Sequence, residues 1–365
     1  MNQPSSSGRI LIDARPLQGP SQFRGIGTYF RGLFTALLSE GYGSELALLM
    51  DRDLPLPELP EGDYVIFRVR RRYHGRFSPY EDAVMLPGEL LRIQPRLFHA
   101  TTLSLPLRHT VPLVATVHDL IPWVLKGRRM WGDRIRYTVG RRGLCRAAAI
   151  ITPSESTACD AVRLAGVDRK LIRVVPEAVE ANFRPVHKPN GHRWQIEQPF
   201  LLFLGALDAR KDPAALLEAW QVARQSGAEC ELVLAGAAGR QAPREMAGAR
   251  RLGYIPTAEL PELLSAAACL IFPSRYEGFG LSLLEAMACG CPVVAYNNSS
   301  LPEVVGKAGV LVSDGDAAAL GRAATEYLLN PGLAEQASRN GLQQAAKFSW
   351  QRAARATMDV YQDLF

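Results

Sequence analysis

Two glutamates eight positions apart, Glu277 and Glu285, bracket the run Gly278-Phe279-Gly280-Leu281. The apolar stretch ending near Phe272 reads as a strand and the glycine-bearing segment after it as a loop. Leu281, Leu284 and Ala288, at i, i+3 and i+7, read as the stripe of a helix that begins close to Gly280. Gly290 closes that helix and Pro292 prevents its continuation. Such a loop aims backbone N–H groups and the positive end of a helix at whatever lies beyond the strand, which suits a diphosphate. The spacing sets one carboxylate before the helix and the other about one turn inside it. Both can then face one crevice, where each can accept two hydrogen bonds from a diol. A plainer reading stays open: Ser282 and Glu285 fit a capping box, in which Glu285 only satisfies a helix N-terminus, and Glu277 fits a solvated loop acid.

The elements that must position these groups alternate along nearly the whole chain, short β-rich runs with helical patterns, as in an α/β protein built on parallel sheets. The first half predicts strands at 10–14, 45–50, 64–69, 97–100, 111–117 and 148–152; the second predicts them at 200–204, 231–235, 249–254, 269–272, 292–295 and 309–312. That pattern is two doubly wound sheets in series. The boundary is expected near 176–198, where Pro185, Pro189, Asn190, Gly191 and Pro199 interrupt any regular element. Ligands of such folds lie at the carboxyl ends of the strands, so the cleft between the two domains is the expected site. His118 follows the run 111–117 and should emerge at that end of its strand, although a lone histidine equally fits a structural role.

The chain has 365 residues, 47% hydrophobic and 21% charged, which excludes disordered and fibrous classes and is ample for two cores. No apolar run reaches the roughly 18 residues of a bilayer-spanning helix. The polar start Met-Asn-Gln-Pro-Ser-Ser-Ser-Gly lacks the apolar core of a secretory signal, so a cytoplasmic protein is expected. Six scattered cysteines form no C-x-x-C pair and read as reduced and mostly buried. The net charge of +6 is unevenly held: residues 1–180 carry 25 Lys and Arg against 18 Asp and Glu, residues 181–365 carry 17 against 18. The excess concentrates in Arg68, Arg70, Arg71, Arg72 and Arg76, and again in Lys126, Arg128, Arg129, Arg134, Arg136, Arg141, Arg142 and Arg146, beside the single acid Asp133. These runs fit a solvated arginine-rich face, an anionic membrane surface or an acidic substrate; no nucleic-acid-binding motif accompanies them.

The segment Phe272-Pro-Ser-Arg-Tyr-Glu-Gly-Phe-Gly-Leu-Ser-Leu-Leu-Glu285 resembles the E-x7-E motif of the retaining glycosyltransferases of family 4, which have the two-domain GT-B architecture. Gly25-Ile-Gly27, His118-Asp-Leu-Ile-Pro122, Phe203-Leu-Gly-Ala-Leu-Asp-Ala-Arg-Lys-Asp-Pro213, Leu232-Val-Leu-Ala-Gly236 and Leu252-Gly-Tyr-Ile-Pro256 are similar to further signatures of that family, in its order, over almost the whole chain. The resemblance implies an acceptor-side domain at 1–180 and a nucleotide-sugar domain at 181–348, with a terminal helix in 349–365 returning to the first. It implies that Glu285 binds the ribose hydroxyls of a nucleotide sugar and Glu277 its sugar ring. Backbone amides at Phe279, Gly280 and Leu281 would contact the sugar or diphosphate, Gly25, Gly27 and Gly205 belong to the donor loops, and Tyr254 and Ile255 line the base pocket. Arg210 and Lys211 would neutralise the departing nucleoside diphosphate. They precede Asp212-Pro213, which reads as N-cap and N1 of a helix. His118 would lie at the donor sugar, with Asp119 orienting its loop.

Asp51-Arg-Asp53 and Asp314-Gly-Asp316 each follow an apolar run, as a metal-binding D-x-D would, but the downstream pattern of the single-domain glycosyltransferase fold is missing and Arg210 and Lys211 already supply positive charge. A dinucleotide site is excluded because Phe30 stands where the third glycine belongs and Gly25 lies eleven positions after Ala14; a long glycine-tipped loop over a sugar diphosphate is expected instead. The interdomain signature Pro-Asn-Gly-Val-Asp appears here as Pro176-Glu-Ala-Val-Glu180. In the terminal helix Trp350, Ala353, Ala354, Thr357, Val360, Tyr361 and Leu364 form the expected core stripe. The expectation is thus a metal-independent, retaining hexosyltransferase without a cofactor. GDP-mannose or a GDP-deoxyhexose is the first donor, and a glycan or lipid-diphosphate-linked glycan of cell-surface polysaccharide is the acceptor. The rivals are a sugar-nucleotide epimerase or hydrolase on the same scaffold and a non-catalytic sugar-nucleotide-binding protein.

Overall fold

A computed structural model describes residues 8–23, 25–71, 78–125, 131–189, 191–197, 199–237, 246 and 248–365. The chain forms two compact units, 1–177 with 350–365 and 178–349.

The first unit holds a parallel sheet of seven strands: β1 (Ile10–Asp13), β2 (Leu46–Asp51), β3 (Val65–Val69), β4 (Leu97–Ala100), β5 (Leu113–Thr116), β6 (Ala149–Thr152) and β7 (Ile172–Val174), in the order β3-β2-β1-β4-β5-β6-β7. Six of these lie where the apolar runs predict them. The seventh is too short for a pattern: Arg173 splits Ile172 from Val174, and only pairing with β6 makes the segment a strand. Helices α1 (Gly25–Ser39), α2 (Ser78–Ile93), α3 (Ile121–Val124), α4 (Trp131–Leu144) and α5 (Glu155–Asp160) connect them.

The second unit repeats the plan with β8 (Phe200–Leu204), β9 (Glu231–Ala235), β10 (Arg250–Gly253), β11 (Cys269–Phe272), β12 (Val293–Tyr296) and β13 (Val310–Val312), ordered β10-β9-β8-β11-β12-β13 and parallel throughout. Along β8, Leu202 and Leu204 face one buried cluster and Leu201 and Phe203 the other, as expected of a strand covered on both sides. Helices α6 (Pro213–Gln225), α7 (Leu260–Ala266), α8 (Leu281–Ala288), α9 (Leu301–Val305), α10 (Ala317–Leu329) and α11 (Pro331–Ala345) supply that cover.

Helix α12 (Trp350–Gln362) belongs to the first unit and packs on α1. Gly32 permits the approach: a Cβ there would stand 2.1 Å from the Trp350 ring. The stripe expected for α12 is buried except at Leu364, which lies beyond the helix end and is half-buried; Met358 joins it. In both sheets the strand order reverses beside the first strand, between β1 and β4 and between β8 and β11. Loops leaving the carboxyl ends of such a pair diverge and leave room for a ligand.

Candidate functional site

In the second unit the loops after β8 and β11 meet. After Leu204 the chain turns at Gly205, whose φ of +139° favours glycine, and then forms a single 3-10 turn, Ala209–Lys211. Asp208 caps that turn by accepting the amides of Arg210 and Lys211. Asp212 then sits at φ +46°, an uncommon conformation for a residue with a side chain, and caps α6 by accepting from the Ala215 amide, with Pro213 at the first helical position. Arg275 holds this bend from the other loop: its amide donates to the Arg210 carbonyl at 3.0 Å and its Nε to Asp212 Oδ2 at 2.8 Å.

This bracing directs both cations onto one carboxylate. Arg210 Nη1 stands 2.5 Å and Lys211 Nζ 2.6 Å from Glu277 Oε1, and Arg210 Nη1 also donates to the Tyr276 carbonyl at 2.9 Å. Lys211 lies over the Phe272 ring, 4.0 Å from its centroid, and is buried, which lowers its pKa against the pull of Glu277. Burial opposes the charge on Glu277, but Lys211 and Arg210 outweigh it and hold the carboxyl at about 2. Glu277 and the two cations, expected as separate sugar and diphosphate groups, therefore form one ionised cluster with a net charge of +1. The Glu277 amide donates to Ser299 Oγ, and Ser300 Oγ donates to the carbonyls of Glu277 and Phe279, so two serines absent from the sequence reading fix this loop.

Helix α8 begins next to the cluster. Its N-cap is Gly280 at φ +114°, without a side-chain cap, so Ser282 and Glu285 form no capping box. Leu281 and Ser282 occupy the first turn, where helix geometry provides no intrahelical acceptor for the N–H. Phe279 itself is buried in the core, its ring edge-on to Phe348 at 5.8 Å, and contributes backbone only. Glu285 is half-buried, and burial together with the nearby Glu180 raises its carboxyl to about 7 despite Lys211. Tyr254 is 61% exposed, whereas Ile255 packs into the core at 8%. The two residues expected at the base pocket therefore differ, Tyr254 exposed and Ile255 buried. Gly236, just past β9, has the tightest need for glycine in this site: a Cβ would stand 2.2 Å from the Gly205 carbonyl oxygen.

His118, Gly25 and Gly27 belong to the first unit. Gly25 and Gly27 lie in the first turn of α1 and not at a loop tip, which corrects the expectation; the preceding 3-10 turns use up the intervening chain, and a Cβ at Gly27 would strike the Gln22 backbone. His118 follows β5 as predicted. Its Nδ1 stands 3.2 Å from Glu177 Oε1 and its Nε2 3.1 Å from the Thr101 carbonyl, while Tyr29 presents its ring edge-on at 4.6 Å. Asp119 accepts from the Ile121 amide at 3.0 Å. His99, passed over in the sequence, is buried between Thr116 and Tyr361, and desolvation lowers it to about 3.

Asp51 Oδ1 accepts from the Asp53 amide, Asp316 caps α10 and Asp314 accepts from Asn298. Of the six cysteines, all free, Cys145 and Cys159 are exposed. Arg68 donates to the Arg52 and Leu54 carbonyls and Arg71 pairs with the buried Asp82, so part of the first arginine run is internal bracing. Arg72, Arg76, Lys126, Arg128 and Arg129 lie outside the described residues.

The family described as Glycosyltransferase Family 4 matches residues 23–183 and that described as Glycosyl transferases group 1 matches residues 187–344. O-antigen chain mannosyltransferase B of Escherichia coli is 32% identical over 283 residues, 73% of this chain and 74% of that protein. Serotype-specific mannosyltransferase WbdA of Escherichia coli is 24% identical over 96% of this chain, which spans only 48% of that larger protein. Among solved structures, sucrose-phosphate synthase from Thermosynechococcus elongatus superposes with a TM-score of 0.79 at 21% identity, covering 98% of this chain and 99% of that one. WaaG, a glycosyltransferase involved in lipopolysaccharide biosynthesis, gives 0.75 at 14%, covering 96% and 99%. These likenesses show the architecture, two Rossmann-like doubly wound domains of the GT-B type.

Proposed function

The chain belongs to the glycosyltransferases of family 4, and we propose that it is a metal-independent, retaining mannosyl-type transferase of cell-surface polysaccharide synthesis. The donor in this reading is GDP-mannose or a GDP-deoxyhexose, and the acceptor a glycan or lipid-diphosphate-linked glycan. The observation that carries it is the cluster of Arg210, Lys211 and Glu277 beside the first turn of α8, a site with net positive charge where the strand order reverses. The mannosyl choice rests on the similarity to the mannosyltransferases named above.

In this assignment Glu285 accepts the ribose diol, Tyr254 offers its exposed ring to the base, and the amides at Gly280 and Leu281 meet the diphosphate. Arg210 and Lys211 stabilise the charge that grows on the leaving nucleoside diphosphate. Among the described residues no side chain stands out as a nucleophile; in this reading the acceptor attacks on the face the diphosphate leaves, and a leaving phosphate oxygen takes the acceptor proton. NMR of the product tests retention: the new linkage should keep the donor's anomeric configuration, and inversion would overturn the mechanism. Because the cationic pair supplies the positive charge, excess EDTA is expected to leave turnover within about twofold of the untreated rate. Loss of activity restored by Mn²⁺ or Mg²⁺ would show that a metal is required.

The acceptor reading includes a place of work, the cytoplasmic face of an anionic membrane. Among the described residues no helix is long and apolar enough to cross a bilayer. Support comes from the positive excess of residues 1–180 and from α2, whose exposed Tyr80, Val84 and Leu91 (38%, 70% and 57%) share one helix face. Helix α2 packs beside α4, which carries exposed Arg141 and Arg142. Each cation near an anionic leaflet contributes about 1 kcal/mol. Sedimentation with anionic liposomes is expected, fading as salt rises. It should weaken in Arg128→Glu/Arg129→Glu/Arg136→Glu and in Val84→Asp/Leu91→Asp. Equal binding to neutral liposomes, or none to anionic ones, contradicts the membrane reading alone.

A further inference from the structure

Glu177 stands where the family's interdomain signature has asparagine, and the structure turns that departure into a contact. It is the last residue of the first unit, three positions past β7, and its carboxylate meets His118, 59 positions earlier, at 3.2 Å. Both groups are mostly buried, the His118 side chain at 13% exposure and the Glu177 side chain at 6%.

Both ring nitrogens therefore face oxygen atoms, a carboxylate at Nδ1 and the Thr101 carbonyl at Nε2. A carbonyl can only accept, so Nε2 carries a hydrogen and donates it. At Nδ1 the ring meets the Glu177 carboxyl, so neither ring nitrogen is left open to a substrate as a base. Behind it, Tyr29 closes on the ring and is itself tied through Thr116 and His99 to Tyr361: Tyr29 Oη to Thr116 Oγ1 is 3.1 Å, Thr116 Oγ1 to His99 Nε2 2.8 Å, and His99 Nδ1 to Tyr361 Oη 2.5 Å.

We propose that Glu177 is a positioning residue that fixes the tautomer and aim of the His118 ring, so that His118 acts as an Nε2–H hydrogen-bond donor and not as a base. The inference rests on the glycosyltransferase reading for its consequence, but not for the state of the ring.

Glu177→Ala frees Nδ1 and lets the ring turn; misplacement of a site group by an ångström costs on the order of 10²-fold. A fall in kcat of about ten- to a hundredfold, with donor KM little changed, is expected. Glu177→Gln should recover most of it, because the amide N–H can donate to an unprotonated Nδ1 while Nε2–H stays on Thr101. In a His118→Ala background, Glu177→Ala should cost little more. The same cost with and without His118, or wild-type kinetics in Glu177→Ala, would overturn the proposal. A readout without turnover separates it from the functional reading: in protein labelled with [15N]histidine, the resonances lost in His118→Ala should report Nε2–H in the wild type and in Glu177→Gln. In Glu177→Ala they should move toward a mixture of tautomers. Unchanged His118 resonances in Glu177→Ala would overturn the proposal even if no donor is turned over.

Discussion

Replacing Arg210 by alanine should lower kcat by about 10² to 10³ while leaving the fold intact. The rate loss is the usual consequence of removing one preorganised group from the place where transition-state charge develops. The intact fold follows from the shared carboxylate: with Arg210 gone, Lys211 Nζ still neutralises Glu277 at 2.6 Å. Lys211→Ala is the poorer experiment, since it also removes the cation seated on the Phe272 ring and opens space inside the unit. Thermal melting beside single-turnover kinetics separates the effects. A near-normal kcat in Arg210→Ala would remove the cation cluster from the chemistry, and a collapsed melting curve would mean that the loop needs Arg210 to fold.

The second large effect belongs to Glu285. Hydrogen bonds to a charged group contribute about 1.5–3 kcal/mol each, so Glu285→Ala, which loses both to a diol, should lower kcat/KM for the donor by about 10²-fold or more. Its raised pKa adds a pH signature. A carboxyl whose folded-state value is raised from 4.5 to about 7 makes the fold more stable with the proton on, so this contribution to stability is present at low pH and is lost as pH rises from 4.5 through about 7. A diol prefers the ionised carboxylate, and donor binding must then expel the proton below pH 7. Donor KM is therefore expected to fall as pH rises from 6 toward 7.5 and then level off, and Glu285→Gln should flatten the slope. A KM independent of pH in the wild type would deny that the donor binds this carboxylate. Glu277, held at about 2, adds nothing to that profile.

The layout of strands was legible because both sheets are parallel and their central strands, covered on both faces, read as apolar runs, whereas edge strand β10 is Arg250-Arg-Leu-Gly253. The weak spot was β7, whose identity comes from its neighbour and not from its own residues. Local structure was equally legible: the Asp212 cap, the start of α8 at Gly280 and the loop carrying Glu277 all depend on residues a few positions apart. What the sequence did not reveal are partnerships across space. Nothing in a linear pattern joins Glu177 to His118, Arg275 to Asp212 or Ser300 to the Phe279 carbonyl, since these pairs meet only once strand order is set. Gly25 and Gly27 misled for a related reason: glycine serves loop tips and close helix packing alike, and only the Gln22 backbone beneath Gly27 decides between them.

The most direct test of the central claim is to incubate the purified protein with a panel of nucleotide sugars, without acceptor, and follow release of the nucleoside diphosphate. The account predicts slow release of GDP from GDP-mannose or a GDP-deoxyhexose, markedly slower in Arg210→Ala, with UDP- and dTDP-sugars left intact. Release from a UDP- or dTDP-sugar in preference to the GDP donors would contradict the donor assignment, and a protein that neither binds nor cleaves any member of the panel would contradict the proposed activity itself.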